Sequence, residues 1–142
     1  MRLSGKTALV TGAGGGLGGG IARRFAAEGA SVLCADRDLP KAEATVAAIT
    51  EAGGTASAFP ADVAEAADCE AQVAETVSRY GRIDIAVNNA GIGLHRLALD
   101  TSLEDWERVL RINLTGSFLT AKAAARHMVA QESGRIIQIG SI

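Results

Sequence analysis

One glycine-rich stretch decides how the rest of the chain reads: Thr11-Gly12-Ala13-Gly14-Gly15-Gly16-Leu17-Gly18-Gly19-Gly20. Just before it, "TALVT" (Thr7–Thr11) is a short apolar, β-branched run of the kind that forms a buried strand. Just after it, Leu17, Ile21, Ala22, Phe25 and Ala26 recur at helical spacing, with Arg23, Arg24 and Glu28 on the opposite face. A glycine turn between a strand and a helix puts backbone N–H groups and the positive end of a helix dipole beside a bound pyrophosphate. Glycine is needed because a Cβ would block the tight turn or the approach of the phosphate. The spacing alone is weak, and the strand before with the helix behind is what makes it a dinucleotide-binding turn. The Gly5-Lys6-Thr7 triplet mimics the end of a different phosphate loop, but it precedes the strand and lacks the upstream glycine.

Working outward, strand-like and helix-like segments alternate. "SVLCAD" reads as a second strand; Asp38 is an N-cap candidate for a helix with Pro40 in its first turn, stopping at Gly53-Gly54. Gly29 stands where the first helix needs a residue free to take positive φ. "TASAFP" is a weaker third strand, and a third helix turns Cys69, Val73 and Val77 inward before Gly81. "IDIAVNNAG" is a fourth strand. Ser102 followed by Asp105 resembles a capping box and opens a long helix, with Leu103, Trp106, Val109, Leu110 and Phe118 on one stripe, ending near Gly134. "RIIQIG" is a fifth strand. This order predicts an α/β fold, a doubly wound parallel sheet of five strands with helices on both faces. Strands apolar along their whole length, "TALVT" and "RIIQIG", fit a sheet covered on both sides, although in residues 1–142 the fifth strand is expected to be left as a bare apolar edge.

Length and composition narrow the function. The 142 residues make room for one domain, residues 1–142. With 48% apolar and 21% charged residues, the chain has the composition of a folded globular domain. A net charge of −2 with scattered Lys and Arg gives no electrostatic case for nucleic acid or an anionic membrane surface. Cys34 and Cys69 lack metal-ligand spacing, and His95 and His127 stand alone, so no metal site is expected. No signal peptide or membrane-spanning stretch is legible, and the expected location is cytoplasmic.

Eighteen residues after Gly18, Asp36 ends the second strand. A carboxylate there accepts hydrogen bonds from an adenosine ribose and repels a 2′-phosphate, which favours NAD over NADP. Arg37, next to it, is either a partial offset to that repulsion or a solvated loop cation.

Four motifs in register carry a family resemblance. "TGAGGGLG" fits Thr-Gly-x-x-x-Gly-x-Gly, "NNAG" (Asn88–Gly91) ends the fourth strand, "NLTG" (Asn113–Gly116) lies in the long helix, and "GRIIQIGS" closes the chain. Together they resemble the short-chain dehydrogenase/reductase family over the whole chain. The resemblance implies that Gly12, Gly16, Leu17 and Gly18 cradle the pyrophosphate and Asp36 holds the ribose. It implies that Asp62 and Val63 contact the adenine, and that Asn89, Ala90 and Gly91 lie along the cofactor. Asn88 would tie neighbouring strands together, and Gly116 would serve close packing. Ala64 replaces the usual Ser or Thr, so the third helix should begin with a poorer cap. Asn113 matches an Asn that interrupts the long helix and holds a water in the proton relay, and Ser141 matches the Ser that hydrogen-bonds the substrate oxygen.

The resemblance further implies Tyr-x-x-x-Lys on a helix after the fifth strand, and residues 1–142 contain none. Tyr80 is the only tyrosine, with Asp84 four residues on, and reads as a packing residue. The expectation is therefore an N-terminal portion of a longer NAD(P)-dependent oxidoreductase acting on a small-molecule secondary alcohol or ketone. Alone it would be inactive, and the full-length form would be a homo-oligomer, a dimer or tetramer. The alternative is a catalytically inactive NAD-binding fragment with at most a binding role.

Overall fold

The structure, a computed structural model, describes residues 1–140. Its five strands are β1 (Thr7–Thr11), β2 (Ser31–Asp36), β3 (Thr55–Pro60), β4 (Ile85–Asn88) and β5 (Arg135–Gln138). All neighbours pair in parallel, in the order β3-β2-β1-β4-β5. The helices are α1 (Gly16–Ala27), α2 (Leu39–Glu51), α3 (Ala66–Tyr80), α4 (Leu103–Leu110) and α5 (Ser117–Ala130). This is the doubly wound, Rossmann-like sheet that the alternation of elements predicts.

β1 lies at the centre, and all five of its residues are buried. Its side chains alternate between the two faces. Ala8 and Val10 pack with Ala22 and Ala26 of α1 and Ala42 and Ile49 of α2, whereas Leu9 joins Val73 of α3 and Ala123, Ala124 and Met128 of α5. The chain leaves β1 toward β2 and β3, then returns across the sheet to place β4 on the other side of β1. That reversal opens a crevice at the carboxyl ends of β1 and β4, where parallel α/β sheets bind ligands.

Turn chemistry follows the expected signals at several ends. Gly29, Gly53 and Gly81 take φ of +92°, +80° and +79°. Asp38 caps α2 by accepting the Lys41 N–H at 3.3 Å. α3 starts at Glu65 without a side-chain cap, as Ala64 implied.

Other expectations are corrected. The long helix is α4, a π-helical segment (Arg111–Gly116) and α5 in succession, ending at Ala130. Glu132, not Gly134, takes the left-handed conformation after it, at φ +54°. Gly134 serves packing instead, since a Cβ there would come within 2.3 Å of Met128 Cγ. The capping box is half formed. Ser102 Oγ accepts the Asp105 N–H at 3.1 Å, but the Asp105 carboxylate turns to Arg96 at 2.7 Å. The stripe on α4 and α5, whose facing the sequence left open, points outward, with Leu103, Trp106 and Phe118 each more than half exposed. β5, though its composition fits a covered strand, is the bare apolar edge expected of residues 1–142: every residue in it is exposed, and among the described residues it pairs only with β4. The Asn88 side chain ties β4 to a helix, its Nδ2 donating to Ser117 O at 3.2 Å.

At the opposite end of the sheet from the crevice, Asp84 joins three strands. Its carboxylate, 4% exposed, accepts from the Thr7 N–H at 2.9 Å and from Arg82 at 2.8 and 2.6 Å, with Lys6 Nζ 3.5 Å away. Its backbone exchanges hydrogen bonds with Thr7 O and the Arg135 N–H. Burial pushes its pKa up, but the Arg82 and Thr7 hydrogen bonds and the charges of Arg82 and Lys6 outweigh that and hold it below the usual value. A depressed folded pKa means stability is fully present above the unfolded value of about 3.9 and is lost as pH falls through the folded one. Asp84→Asn should therefore cost about 1–3 kcal/mol at pH 7. Urea unfolding as a function of pH should show the gap between wild type and variant closing below about pH 4.

Candidate functional site

The crevice is built on Thr11, where β1 gives way to the glycine loop. Thr11 Oγ1 accepts the N–H groups of Asn89 and Ala90, both at 3.0 Å, and so joins the end of β4 to the end of β1. The Asn89 amide completes the tie, its Nδ2 donating to Thr11 O at 3.0 Å and Gly12 O at 3.3 Å. The loop itself is anchored by the Ala13 N–H on Ala35 O and by Thr45 Oγ1, which donates to Ala13 O at 2.8 Å from α2.

Two glycines make this possible, each for a different reason. Gly12 sits at φ +64°, a conformation L side chains rarely adopt. Gly18, in the first turn of α1, lies so close to the loop that a Cβ would stand 2.2 Å from Gly12 O and 2.5 Å from Asn89 Nδ2. Gly16 contrasts with both: its φ is +53°, but a Cβ there meets open space. Leu17, expected on the inward stripe of α1, is 60% exposed beside the loop. α1 begins at Gly15 with no side-chain cap and no acidic residue in its first turn. Its leading N–H groups, which have no partner inside the helix, are left for an anion. These features fit a dinucleotide pyrophosphate.

Two adjoining clefts flank the loop. One, of about 140 Å³, lies between Asp36, Asp62, Val63 and Ile112 and reaches Ala90 and Gly91. The other, of about 380 Å³, runs over Gly12, Gly14 and Gly15 past Asp36 to Asn89. Asp36 stands in both, its Oδ2 accepting the Gly14 N–H and its Oδ1 the Asp38 N–H, each at 2.9 Å. Gly14 is pressed against it, since a Cβ there would sit 2.7 Å from Oδ2. Lys41 enters the second cleft from α2, with Nζ 2.9 Å from Asp38 Oδ2. That hydrogen bond raises the Lys41 pKa and lowers that of Asp38. Asp62 turns its Oδ1 to the Ala64 N–H at 2.9 Å, and its own N–H donates to Asp68 Oδ2 at 2.8 Å.

Past β4, the chain meets the π-helical segment. The Asn113 side chain binds Ile92 at both ends, Oδ1 accepting the Ile92 N–H and Nδ2 donating to Ile92 O, each at 2.9 Å. Asn113 O accepts Ser117 Oγ at 2.9 Å. One turn on, a Cβ at Gly116 would stand 2.5 Å from Val63 O, so the glycine lets the helix close on the β3–α3 connection. Ser141 lies outside the described residues.

The structure thus brings Gly12, Gly18, Asp36, Asp62, Val63, Asn89, Ala90, Gly91 and Asn113 to one edge of the sheet, with Gly16 and Leu17 on its rim. Sequence reasoning missed Thr11, Thr45, Lys41, Gln72 and Ile112. The legible signals were a polar Thr45 between Ala42 and Ile49, and a polar Gln72 between Cys69 and Val73, on stripes that otherwise face the core.

The remaining reactive groups are structural. Burial pushes the Cys34 thiol up to about 12, with Arg23 pulling weakly the other way, and raises Cys69 as well. The Tyr80 phenol is also raised, by burial ahead of the opposing hydrogen bond with Ser57 Oγ at 2.8 Å. That is the wrong direction for a base near neutral pH.

The family model for short chain dehydrogenases matches residues 6–142. The chain belongs to the short-chain dehydrogenase/reductase family. It is 47% identical to the short-chain reductase protein NovJ of Streptomyces niveus, over 95% of this chain and 52% of the relative. It is 40% identical to the D-threitol dehydrogenase of Mycolicibacterium smegmatis, over 99% of this chain and 54% of the relative. The chain thus spans about half the length of the curated relatives it matches. A metagenomic short-chain oxidoreductase solved in complex with NADP superposes with a TM-score of 0.94 at 34% identity, covering 100% of this chain and 65% of that one. Among the described residues no helix is long and apolar enough to cross a membrane.

In this dehydrogenase-family chain the two glycines separate by stability. Gly18→Ala should cost about 2–4 kcal/mol through its clash with Gly12 O. Gly16→Ala should cost about 1–2 kcal/mol, from left-handed strain alone. Urea unfolding of both variants measures the contrast, and equal losses would mean the loop does not close on Gly18.

Proposed function

We propose that residues 1–142 form the dinucleotide-binding domain of an NAD(P)-dependent oxidoreductase that interconverts a small-molecule secondary alcohol and ketone, with NAD favoured over NADP. The observation that carries the cofactor preference is Asp36. Its carboxylate stands in both clefts, fixed by the Gly14 and Asp38 N–H groups, and has lone pairs left for the ribose hydroxyls. A 2′-phosphate a few ångströms away would be repelled by about 1–4 kcal/mol, depending on the local dielectric. Arg37 lines both clefts and opposes this, while the Lys41 charge is partly engaged by Asp38. The metagenomic short-chain oxidoreductase that shares this fold was solved with NADP.

Within the site, Gly12, Gly16, Leu17 and Gly18 cradle the pyrophosphate, Asp62 and Val63 meet the adenine, and Asn89, Ala90 and Gly91 line the path toward the nicotinamide. The nicotinamide ring, when bound, gives or takes the hydride. Asn113 and Ser141 are the proposed catalytic positions. The Asn113 side chain is committed to Ile92, so it holds the segment after β4 in place, and its part in the proton relay is to hold a water there. Ser141 hydrogen-bonds the substrate oxygen. Residues 1–142 contain no Tyr-x-x-x-Lys to take the alcohol proton, and this supports a binding role without turnover for these residues by themselves. Leu103, Trp106, Leu114 and Phe118, each more than half exposed on α4, the π-helical segment and α5, support a homo-oligomer, a dimer or tetramer, for the full-length form.

Asp36→Ala should shift the ratio of NADP to NAD affinity by about tenfold toward NADP, read by calorimetric titration. An unchanged ratio would mean that Asp36 does not face the ribose. Residues 1–142 expressed alone should bind NAD and leave absorbance at the reduced-nicotinamide band flat with any alcohol. Sustained NAD reduction would overturn the mechanism.

A further inference from the structure

Gln72 is a polar residue on the core-facing stripe of α3, between Cys69, Val73 and Thr76, and its side chain is fully buried. Its Nε2 donates to Thr120 Oγ1 of α5 at 2.9 Å. Thr120 thus accepts from the amide nitrogen, which is turned toward α5. Gln72 Oε1 is then left buried with no hydrogen-bond partner among the described residues. Buried acceptors are nearly always paired, so an orphan of this kind asks what donor it is meant to meet.

The position of Gln72 suggests the donor. It lines the cleft of about 140 Å³ together with Asp62, Val63 and Ile112. The walls include Ala35, Ala61, Val63, Ala90 and Ile112, which suit the faces of a purine. Asp62 commits Oδ1 to the Ala64 N–H, and no hydrogen bond reaches its Oδ2 among the described residues. Two unengaged acceptors thus belong to residues that line the cleft: Asp62 Oδ2, and Gln72 Oε1, which is itself buried. A 6-aminopurine carries an exocyclic amine with two N–H donors. A 6-oxopurine presents an acceptor at the same place, where it would face two other acceptors.

We propose that Gln72 determines specificity at the adenine end of the cofactor site, its Oε1 accepting one N–H of the exocyclic amine while Asp62 takes the other. This rests on the dinucleotide reading above and extends it to the chemistry of the base. The amide oxygen is covered in the free protein, so the contact requires the Gln72 side chain to shift toward the ring as it binds. The residue acts on binding and not on hydride transfer.

The test is calorimetric titration of the full-length gene product with NAD and with its hypoxanthine analogue, deamino-NAD, for wild type and Gln72→Met. Wild type should bind NAD about tenfold more tightly than deamino-NAD. Gln72→Met should weaken NAD several-fold, leave deamino-NAD nearly unchanged and so shrink the preference. Without ligand, its melting temperature should not fall, because the unmatched acceptor has been removed. A preference unchanged in Gln72→Met would overturn the proposal, as would a falling melting temperature with the preference intact, which marks a purely structural amide. Should that variant not fold, Gln72→Leu replaces it, and equal affinity of wild type for the two dinucleotides overturns the proposal without any variant. Wild type that binds neither dinucleotide sinks the cofactor reading itself, a distinct result.

Discussion

The contact between Gly18 and the Gly12 carbonyl is the constraint on which the rest of this structure depends. α1 can start directly above the end of β1 only if nothing occupies the space a Cβ would fill, 2.2 Å from that oxygen. Once the helix is there, its unpaired N–H groups point over the loop, and the Asn89 amide can span from β4 to both Thr11 O and Gly12 O. The same close approach sets the height of the crevice floor. A single added methyl group would lift α1, loosen the tie to β4 and spoil the anion site together, because close-packed backbones relax poorly.

The loop also couples the two halves of the sheet. β2 and β3 bring Asp36 and Asp62 to one side of the switch point, and β4 brings Asn89 to Gly91 to the other. Thr11 lies between, receiving two N–H groups from the β4 side. At the far end of the sheet, Asp84 does a comparable job for β1, β4 and β5 through its buried carboxylate and its own backbone. The sheet is thus fastened at both ends of its central strands, and the crevice inherits that rigidity. The cleft beside Asp62 is less settled, because Gln72 keeps a buried acceptor there without a donor among the described residues. Polar groups that break a local packing rule in this way tend to mark function, since packing alone would favour an apolar residue.

Much of the fold was legible because the signals were local. Glycines at helix ends, Asp38 before Pro40 and the apolar runs of β1 and β2 act within a few residues, and the structure follows them. What an element meets at a distance was harder to read. The stripe from Leu103 to Phe118 has helical period, but period says only that a face exists, and only the structure turns it outward. The composition of β5 suits a two-sided buried strand, and its exposure follows from its place at the edge beside β4. Gly134 looks like a helix stop, but it is a packing glycine against Met128, and Glu132 makes the turn.

By itself, the sequence determined the class of fold, the place of the glycine loop and the family, because each is written in short-range patterns of glycine, apolar period and four motifs in order. Only the tertiary structure decided that Asn89 spends its amide on the loop, that Asn113 clamps Ile92 with both ends of its side chain, and that Gln72 is buried beside the cleft at Asp62. Each of these joins residues twenty or more positions apart. Hydrogen-bond partners at that separation follow from how the helices dock on the sheet, and no local pattern along the chain carries that information.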